Sequence, residues 1–207
     1  MPESGYYANE REDVVDALPR PLGSVLDVGC GSGRVGPGLR AAGAMRLTGI
    51  ELVADQAELA KGVYDEVLAV PVEQALPQLI GPFDTILCLD LLEHLVDPEQ
   101  VLSDLRRVAA PGARLQVSVP NARHVSLMID LLFKGTFGYT EWGHRDRTHL
   151  RWFTRRDIVE AMERTGWAVQ RISHPGLHRS RHLDGLTRGK STEFLVGQWY
   201  VLGLNGL

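Results

Sequence analysis

One segment constrains the fold of this chain more than any other. In residues 25–33, Val-Leu-Asp-Val-Gly-Cys-Gly-Ser-Gly, an apolar run reaches an acid and passes directly into alternating glycines. The apolar run predicts a buried strand, and the glycines predict a tight turn that lets a ligand approach the backbone before a helix begins. Ligands of open α/β sheets bind at this carboxyl edge of the strands. The segment therefore predicts an α/β fold with a ligand site at the turn.

Short apolar runs alternate with helical patterns along the rest of the chain, which is typical of stacked βαβ units. We predict seven strands, at Ser24–Val28, Arg46–Ile50, Glu66–Val70, Phe83–Leu89, Arg114–Val119, Trp167–Ile172 and Phe194–Leu202. We predict helices at Gly31–Ala42, Val53–Gly62, Glu73–Leu79, Pro98–Ala109, Val125–Phe133 and Thr154–Thr165. The last strand is expected to pair antiparallel, because no clear crossover helix precedes it.

Residues 120–150 are too long for an ordinary connection inside a compact domain, so we interpret them as a lid or acceptor-binding insertion.

The chain has 207 residues and is 44% hydrophobic, which suits a single domain over residues 1–207. It contains no apolar run of membrane-spanning length, and its polar, acidic start is not a secretory signal, so we expect a cytoplasmic enzyme without a membrane partner. The net charge of −4 argues against a nucleic-acid partner. Cys30 and Cys88 are expected to be buried packing residues rather than a disulfide.

The acid beside the glycine turn limits what the turn can bind. The glycines follow a G-x-G-x-G pattern, and Asp27 stands two residues before Gly29. A carboxylate facing the turn repels a pyrophosphate and suits a cationic ligand. Residues 31–36, Gly-Ser-Gly-Arg-Val-Gly, do fit the dinucleotide pattern on spacing alone, so a nicotinamide oxidoreductase is kept as an alternative. Glu51 closes the second predicted strand, where an acid can accept both ribose hydroxyls.

Together these residues resemble class I S-adenosylmethionine-dependent methyltransferases, over about Val25 to Val119. The resemblance implies a Rossmann-like fold, with a seven-stranded, mostly parallel sheet flanked by helices, and S-adenosylmethionine as the methyl donor. It places Asp27, Gly29, Gly31 and Gly33 at the donor's methionine part, Glu51 with Leu52 at the ribose, Val72 and Glu73 at the adenine, and Leu89 with Asp90 at the methyl-bearing end. Tyr7 and Arg11 match a feature before the first strand of related small enzymes. Arg11 is expected to pair with the donor carboxylate, and the alternative is that both are surface helix residues.

A second group of residues follows the fourth predicted strand. Within residues 90–94, Asp-Leu-Leu-Glu-His, the two acids and the imidazole project to one side of a helical turn. Two carboxylates and an imidazole form a credible divalent-cation site, which His149 could complete. Ubiquinone-pathway O-methyltransferases and small-RNA 2′-O-methyltransferases carry Glu-x-x-Glu-His here and bind a divalent metal. The resemblance thus implies Mg²⁺ or another divalent cation on Asp90, Glu93, His94 and His149. Asp90 reaches one methylene less far than Glu, and in many metal-free methyltransferases Leu-Glu-His only structures the loop.

A third group closes the insertion in residues 144–149, His-Arg-Asp-Arg-Thr-His. His144 is the predicted general base, because the pKa of an imidazole lies near working pH, and His94 is the second candidate. Residues 146–154 resemble a segment of bacterial methyltransferases encoded near sugar and natural-product gene clusters. The aromatic residues Phe137, Tyr139, Trp142 and Trp152 lie around this loop. They are expected either to stack on a sugar or planar acceptor or to form a small core of the insertion.

These features predict direct SN2 transfer of a methyl group to a hydroxyl of a small acceptor. A sugar or glycoside, such as an actinobacterial mannoside, and a natural product are the expected acceptor classes. The alternatives are an RNA 2′-O-methyltransferase and a non-catalytic S-adenosylmethionine-binding protein. A homo-oligomer is also compatible with the sequence.

Overall fold

The apolar runs of the sequence form the strands of one sheet. The computed structural model describes residues 12–141, 143–175 and 191–206. Its strands are β1 (Gly23–Val28), β2 (Ala44–Ile50), β3 (Glu66–Leu68), β4 (Phe83–Leu89), β5 (Ala109–Pro120), β6 (Trp167–Ser173) and β7 (Gln198–Asn205). They lie in the order β3-β2-β1-β4-β5-β7-β6. Strands β1 to β5 are parallel, and β7 runs antiparallel to both β5 and β6.

Helices cover both faces of this sheet. They are α1 (Glu12–Ala17), α2 (Gly36–Ala41), α3 (Ala54–Ala60), α4 (Val72–Ala75), α5 (Pro98–Val108), α6 (Val125–Phe133), α7 (Arg155–Arg164) and α8 (Thr192–Leu195). The start of α7 is fixed by a capping box, in which the side chains and backbone amides of Thr154 and Asp157 bond reciprocally. The start of α5 is fixed by the side chain of Asp97, which accepts from the backbone N–H of Gln100 at 3.0 Å.

Alternate residues of the central strands divide between two apolar clusters, as expected of strands covered on both faces. Leu26 of β1 packs in a cluster with residues of α5 and α7, while the neighbouring Val25 packs in a second cluster with residues of α2 and α3. Cys30 and Cys88 are buried free thiols, as predicted. The structure therefore confirms the Rossmann-like fold with seven, mostly parallel strands and an antiparallel last strand.

Two predicted elements begin later than the sequence suggested. The predicted helix from residue 31 begins only at Gly36, because Gly29, Gly31 and Gly33 have φ values of +77°, +54° and +83° that a right-handed helix excludes. The predicted strand from residue 194 begins at Gln198, because residues 192–195 form α8. A short apolar run does not by itself distinguish a helical turn from a strand.

Residues 120–150 connect β5 to the region of α7 and contain α6 within the predicted bounds. Their start is fixed by the buried side chain of Asn121, which donates to the carbonyl oxygens of Glu193 and Val196 at 2.9 and 2.7 Å. Asp130 of α6 faces inward and bonds with Lys134 and Arg145. That this segment acts as a lid stays a prediction. In the part of the chain that the structure describes, no helix is long and apolar enough to cross a membrane.

Candidate functional site

The glycine turn after β1 is held against the end of β2. The backbone N–H groups of Gly29 and Cys30 both donate to the carbonyl oxygen of Ile50, at 2.8 and 3.0 Å. Gly31 lies at the outer side of this turn, where an added Cβ would meet no atom within 4 Å. The backbone at Gly31 therefore has open space on this side, and its role in donor binding stays a prediction.

Glu51 joins the turn to the loop after β2. Its Oε2 accepts from the backbone N–H of Gly31 and its Oε1 from that of Val53, each at 2.8 Å. The predicted ribose-binding acid thus lies directly beside the glycine turn. The same carboxylate also orders the turn, a structural contribution that spacing alone did not reveal.

Asp27 lies at the end of β1 and is only 2% exposed. Its Oδ2 accepts a hydrogen bond of 2.5 Å from the hydroxyl of Tyr64, which is itself 5% exposed. Burial and the neighbouring Asp27 carboxylate raise the pKa of Tyr64, so the hydroxyl remains a donor. Sequence reasoning missed Tyr64, because it lies 37 residues from Asp27 in no recognised motif.

The other predicted donor-binding residues lie at the same edge of the sheet. Leu89 ends β4, Leu52 is exposed after β2, and the first turn of α4 holds a buried Val72 and an exposed Glu73. Because the carboxyl ends of parallel strands meet at one edge, these positions lie on the same edge of the sheet as the glycine turn. Tyr7 and Arg11 lie outside the described residues, as does the aromatic residue Trp142.

Three of the four predicted metal ligands come together. Ligand atoms of Glu93, His94 and His149 all lie within 4.8 Å of one another. Glu93 is 1% and His149 is 7% exposed. The two imidazole rings meet edge to face with their centroids 4.8 Å apart. The loop before α7 is fixed there because the backbone N–H groups of Leu150 and Arg151 donate to the carbonyl oxygen of Glu93, at 2.8 and 3.0 Å.

Asp90 does not join this group, so its predicted alignment with Glu93 and His94 is wrong. The Oδ1 of Asp90 accepts from the hydroxyl of Ser118 at 3.0 Å and from the side-chain amide of Gln198. The backbone of Asp90 is left-handed, with φ of +51°, and the following 3₁₀ turn begins only at Leu92. The helical turn that would have aligned Asp90 with Glu93 and His94 is therefore not formed, and Asp90 is directed towards β5 and β7.

His144 and His149 line one narrow cleft with Glu93 and Trp152, which is too tight to hold a water molecule. The Nε2 of His144 donates to the carbonyl oxygen of Gly197 at 2.8 Å. Burial lowers the pKa of His144, and burial together with the neighbouring His94 lowers the pKa of His149. Both imidazoles are therefore neutral near pH 7, the form required of a general base or a metal ligand.

Aromatic side chains extend from this cleft across the insertion. The ring of Phe137 lies 5.3 Å, centroid to centroid, from the rings of both Tyr139 and Trp152. His124, at the start of α6, stacks on His144 with centroids 4.7 Å apart and planes 14° apart. Aromatic faces are thus present beside the cleft, and they also pack on one another.

Comparison with known proteins agrees with this arrangement. The model of a family described as a methyltransferase domain matches residues 5–172. The chain belongs to this family of class I S-adenosylmethionine-dependent methyltransferases. The alternative of a nicotinamide oxidoreductase, which rested on glycine spacing alone, is therefore wrong. Asp27, the acid before the glycine turn, was the feature that distinguished the two cofactor classes.

Curated relatives of this methyltransferase carry the name ubiquinone biosynthesis O-methyltransferase. One from Xylella fastidiosa is 30% identical over 169 residues, which cover 74% of this chain and 60% of the relative. One from Bordetella bronchiseptica is 33% identical over 130 residues, which cover 56% of this chain and 54% of the relative. The chain thus spans between about half and three fifths of the length of these relatives.

Solved structures show the same fold at lower identity. An S-adenosylmethionine-dependent methyltransferase from Archaeoglobus fulgidus superposes with a TM-score of 0.63, at 17% identity, over 87% of this chain and 85% of that one. One from Mesorhizobium loti superposes with a TM-score of 0.60, at 15% identity, over 93% of this chain and 96% of that one. The arrangement of the sheet is therefore that of other methyltransferases.

Proposed function

We propose that this chain transfers the methyl group of S-adenosylmethionine to a hydroxyl oxygen of a small acceptor. The observation that carries the proposal is the cleft shared by Glu93, His149 and His144. Glu93 follows β4, which pairs with β1, and the glycine turn follows β1 at the same edge of the sheet. Donor and acceptor would then meet at one edge of the sheet, as in-line transfer requires.

The donor would lie over the glycine turn. The open backbone at Gly31 would admit it, Asp27 would face its cationic part, and Glu51 would accept its ribose hydroxyls. In this proposal Leu52, Val72, Glu73 and Leu89 line the adenine, the ribose and the methyl-bearing end. Arg11 pairs with the donor carboxylate, and Tyr7 belongs to the same feature before the first strand.

The chemistry is a single displacement. The acceptor oxygen forms a bond to the methyl carbon while the carbon–sulfur bond breaks, and S-adenosylhomocysteine leaves. The hydroxyl proton passes to a neutral imidazole, because an alcohol is a poor nucleophile without a base. We assign this to His144, through Nδ1, since its Nε2 donates to Gly197. His94 is the second candidate, and its Nδ1 lies 3.1 Å from the hydroxyl oxygen of Thr148.

A divalent cation fits the group formed by Glu93, His94 and His149. One carboxylate and two imidazoles lie close enough to share an ion, and the lowered pKa of His149 keeps it ready to bind one. When bound, such an ion would polarise the acceptor hydroxyl. Without Asp90, the donor set is richer in nitrogen than Mg²⁺ prefers, so it favours a transition ion such as Mn²⁺ or Zn²⁺.

Two acceptor classes remain in the proposal. The sequence suggests a sugar, glycoside or natural product, and the names of the relatives suggest a hydroxyl on a ubiquinone precursor. The aromatic rings of Phe137, Tyr139 and Trp152 support either, because a sugar ring and a planar ring both stack on aromatic faces.

The test is methyl transfer by the purified chain from a labelled donor to a panel of glycosides, hydroxylated aromatic rings and amines, followed by mass spectrometry. We expect label on an oxygen. Label on an amine alone would overturn the O-methyl proposal, and absence of donor binding by calorimetry would overturn methyl transfer itself.

Metal binding has a separate test, in which the loss of the Glu93 carboxylate is compared with the loss of the Asp90 carboxylate. Exhaustive chelation should abolish turnover, and adding back Mn²⁺, Zn²⁺ or Mg²⁺ in turn should show which ion restores it. Titration of Mn²⁺ by calorimetry should give weaker binding for Glu93→Gln, while Asp90→Asn should bind as the wild type does, because Asp90 is directed away from the group. Equal losses in the two variants, or full turnover in chelator, would remove the metal from the proposal.

A further inference from the structure

We infer that Tyr64 positions Asp27 for donor binding, an inference that rests on the proposed use of S-adenosylmethionine. Tyr64 follows α3 and its hydroxyl reaches across to the end of β1, where it donates to Asp27 Oδ2 at 2.5 Å. Both side chains are buried, so the bond forms where water competes least. A hydrogen bond to a buried carboxylate is strong and directional, and it holds the carboxylate in one orientation.

The ring of Tyr64 occupies a slot formed by three glycines. An added Cβ at Gly33 or Gly36 would lie 3.1 Å from the Cε2 of Tyr64, and one at Gly49 would lie 3.3 Å from its Cδ1. Each of these approaches is tighter than ordinary van der Waals contact. Gly36 and Gly49 need no left-handed backbone, so close packing requires glycine at these two positions. An added Cβ at Gly36 would lie 2.3 Å from Cγ1 of Val63, and one at Gly49 would lie 2.7 Å from Sγ of Cys30, so these neighbours exclude a side chain together with the Tyr64 ring.

The slot places the Tyr64 hydroxyl beside Asp27, the acid that precedes the glycine turn. Asp27 precedes Gly29 by two residues, so the direction of its carboxylate decides whether it meets a cationic ligand at the turn. With the Tyr64 hydroxyl removed, the carboxylate keeps its charge but loses a group that fixes its direction. Donor binding should therefore weaken, while transfer from a donor already bound should change little. Tyr64 does not touch the reacting atoms in this scheme and acts through Asp27.

The test compares two tyrosines that each donate to an aspartate. Tyr64→Phe keeps the ring in its slot and deletes the hydroxyl. Tyr200→Phe is the matched control, because the Tyr200 hydroxyl donates to Asp13 Oδ2 at 3.0 Å and Tyr200 is 6% exposed. We expect calorimetry with S-adenosylhomocysteine to show about tenfold weaker binding for Tyr64→Phe and an unchanged affinity for Tyr200→Phe. At saturating donor, the kcat of Tyr64→Phe should stay within about twofold of the wild type while its KM for the donor rises.

A double-mutant cycle then separates positioning from a merely structural role. If Tyr64 acts through Asp27, adding Tyr64→Phe to Asp27→Asn should weaken donor binding no further. Losses that add in the double variant, or an unchanged affinity in Tyr64→Phe, would overturn the inference and leave the proposed function intact. A wild-type chain that binds no donor would overturn both. Should Tyr64→Phe alone fail to fold, unequal donor affinities of Asp27→Asn and Asp27→Asn/Tyr64→Phe would still overturn it.

Discussion

A single methyl group at Gly31 should separate donor binding from stability. Gly31 has φ of +54°, and an added Cβ would meet no protein atom within 4 Å. Gly31→Ala should therefore lower the free energy of unfolding by only about 1 kcal/mol, which is the cost of placing an alanine in the left-handed backbone conformation. Gly112 provides the control, because its φ is +73° and its Cβ would also meet nothing within 4 Å. Gly112 lies near the amino end of β5. The regular pairing of β5 with β4 begins two residues later, at Arg114.

The two variants should differ once the donor is present. If the donor lies against the Gly31 backbone, the alanine methyl occupies space that the donor needs. Crowding by one such group costs about 1–3 kcal/mol, which corresponds to a dissociation constant about 5- to 150-fold higher. Gly112→Ala adds its methyl at the other end of the sheet, so its donor affinity should equal that of the wild type.

Urea unfolding and calorimetric titration with S-adenosylhomocysteine measure the two quantities independently. We expect similar losses of unfolding free energy in both variants and weaker donor binding in Gly31→Ala alone. Equal donor affinities in the two variants would refute the placement of the donor at this turn. A much larger loss of stability in Gly31→Ala would refute the reasoning that its surroundings are open.

Three further predictions concern the insertion and helix α7. Asp130→Asn removes the carboxylate that bonds with Arg145 at 2.8 Å, so limited proteolysis between α6 and residue 145 should accelerate; an unchanged cleavage rate would contradict this role. Burial lowers the pKa of His124 and His144 below the unfolded value of about 6.5, so protonation favours the unfolded chain. The free energy of unfolding should be highest above pH 6.5 and should fall as the pH drops through the folded-state pKa values of the two imidazoles. The fall should be less steep in His124→Phe. Urea midpoints that do not vary with pH would contradict this prediction. Thr154→Ala removes the capping box of α7 and should lower the free energy of unfolding by about 1 kcal/mol in urea titrations; an unchanged value would show that the cap is dispensable.

The sequence predicts most of this fold because each strand and most helices carry their own local pattern. The bounds of α6 are those predicted from its amphipathic spacing, and the capping box before α7 is visible three residues apart in Thr154 and Asp157. The glycine turn predicts the donor edge for the same reason. Strands and caps are short-range features, so a single sequence is enough to find them.

The site was less predictable because its contacts join distant parts of the chain. Asp90 was expected beside Glu93 from a helical turn, but its side chain bonds with Ser118 and Gln198, 28 and 108 residues away. Tyr64 reaches Asp27 from a segment with no motif. Residues that meet through the sheet topology carry no periodicity relative to one another, so spacing alone does not identify such partners.

The position of β7 determines when the surroundings of His144 are complete. Strand β6 is at the edge of the sheet and its neighbour is β7, which separates it from β5. During synthesis the five parallel strands can pair as they leave the ribosome, whereas β6 must wait for residues 198–205. The carbonyl oxygens that hold Asn121 and His144 belong to Val196 and Gly197, directly before the same strand. A nascent chain would therefore complete its donor edge early and assemble the surroundings of its candidate base among the last steps of folding.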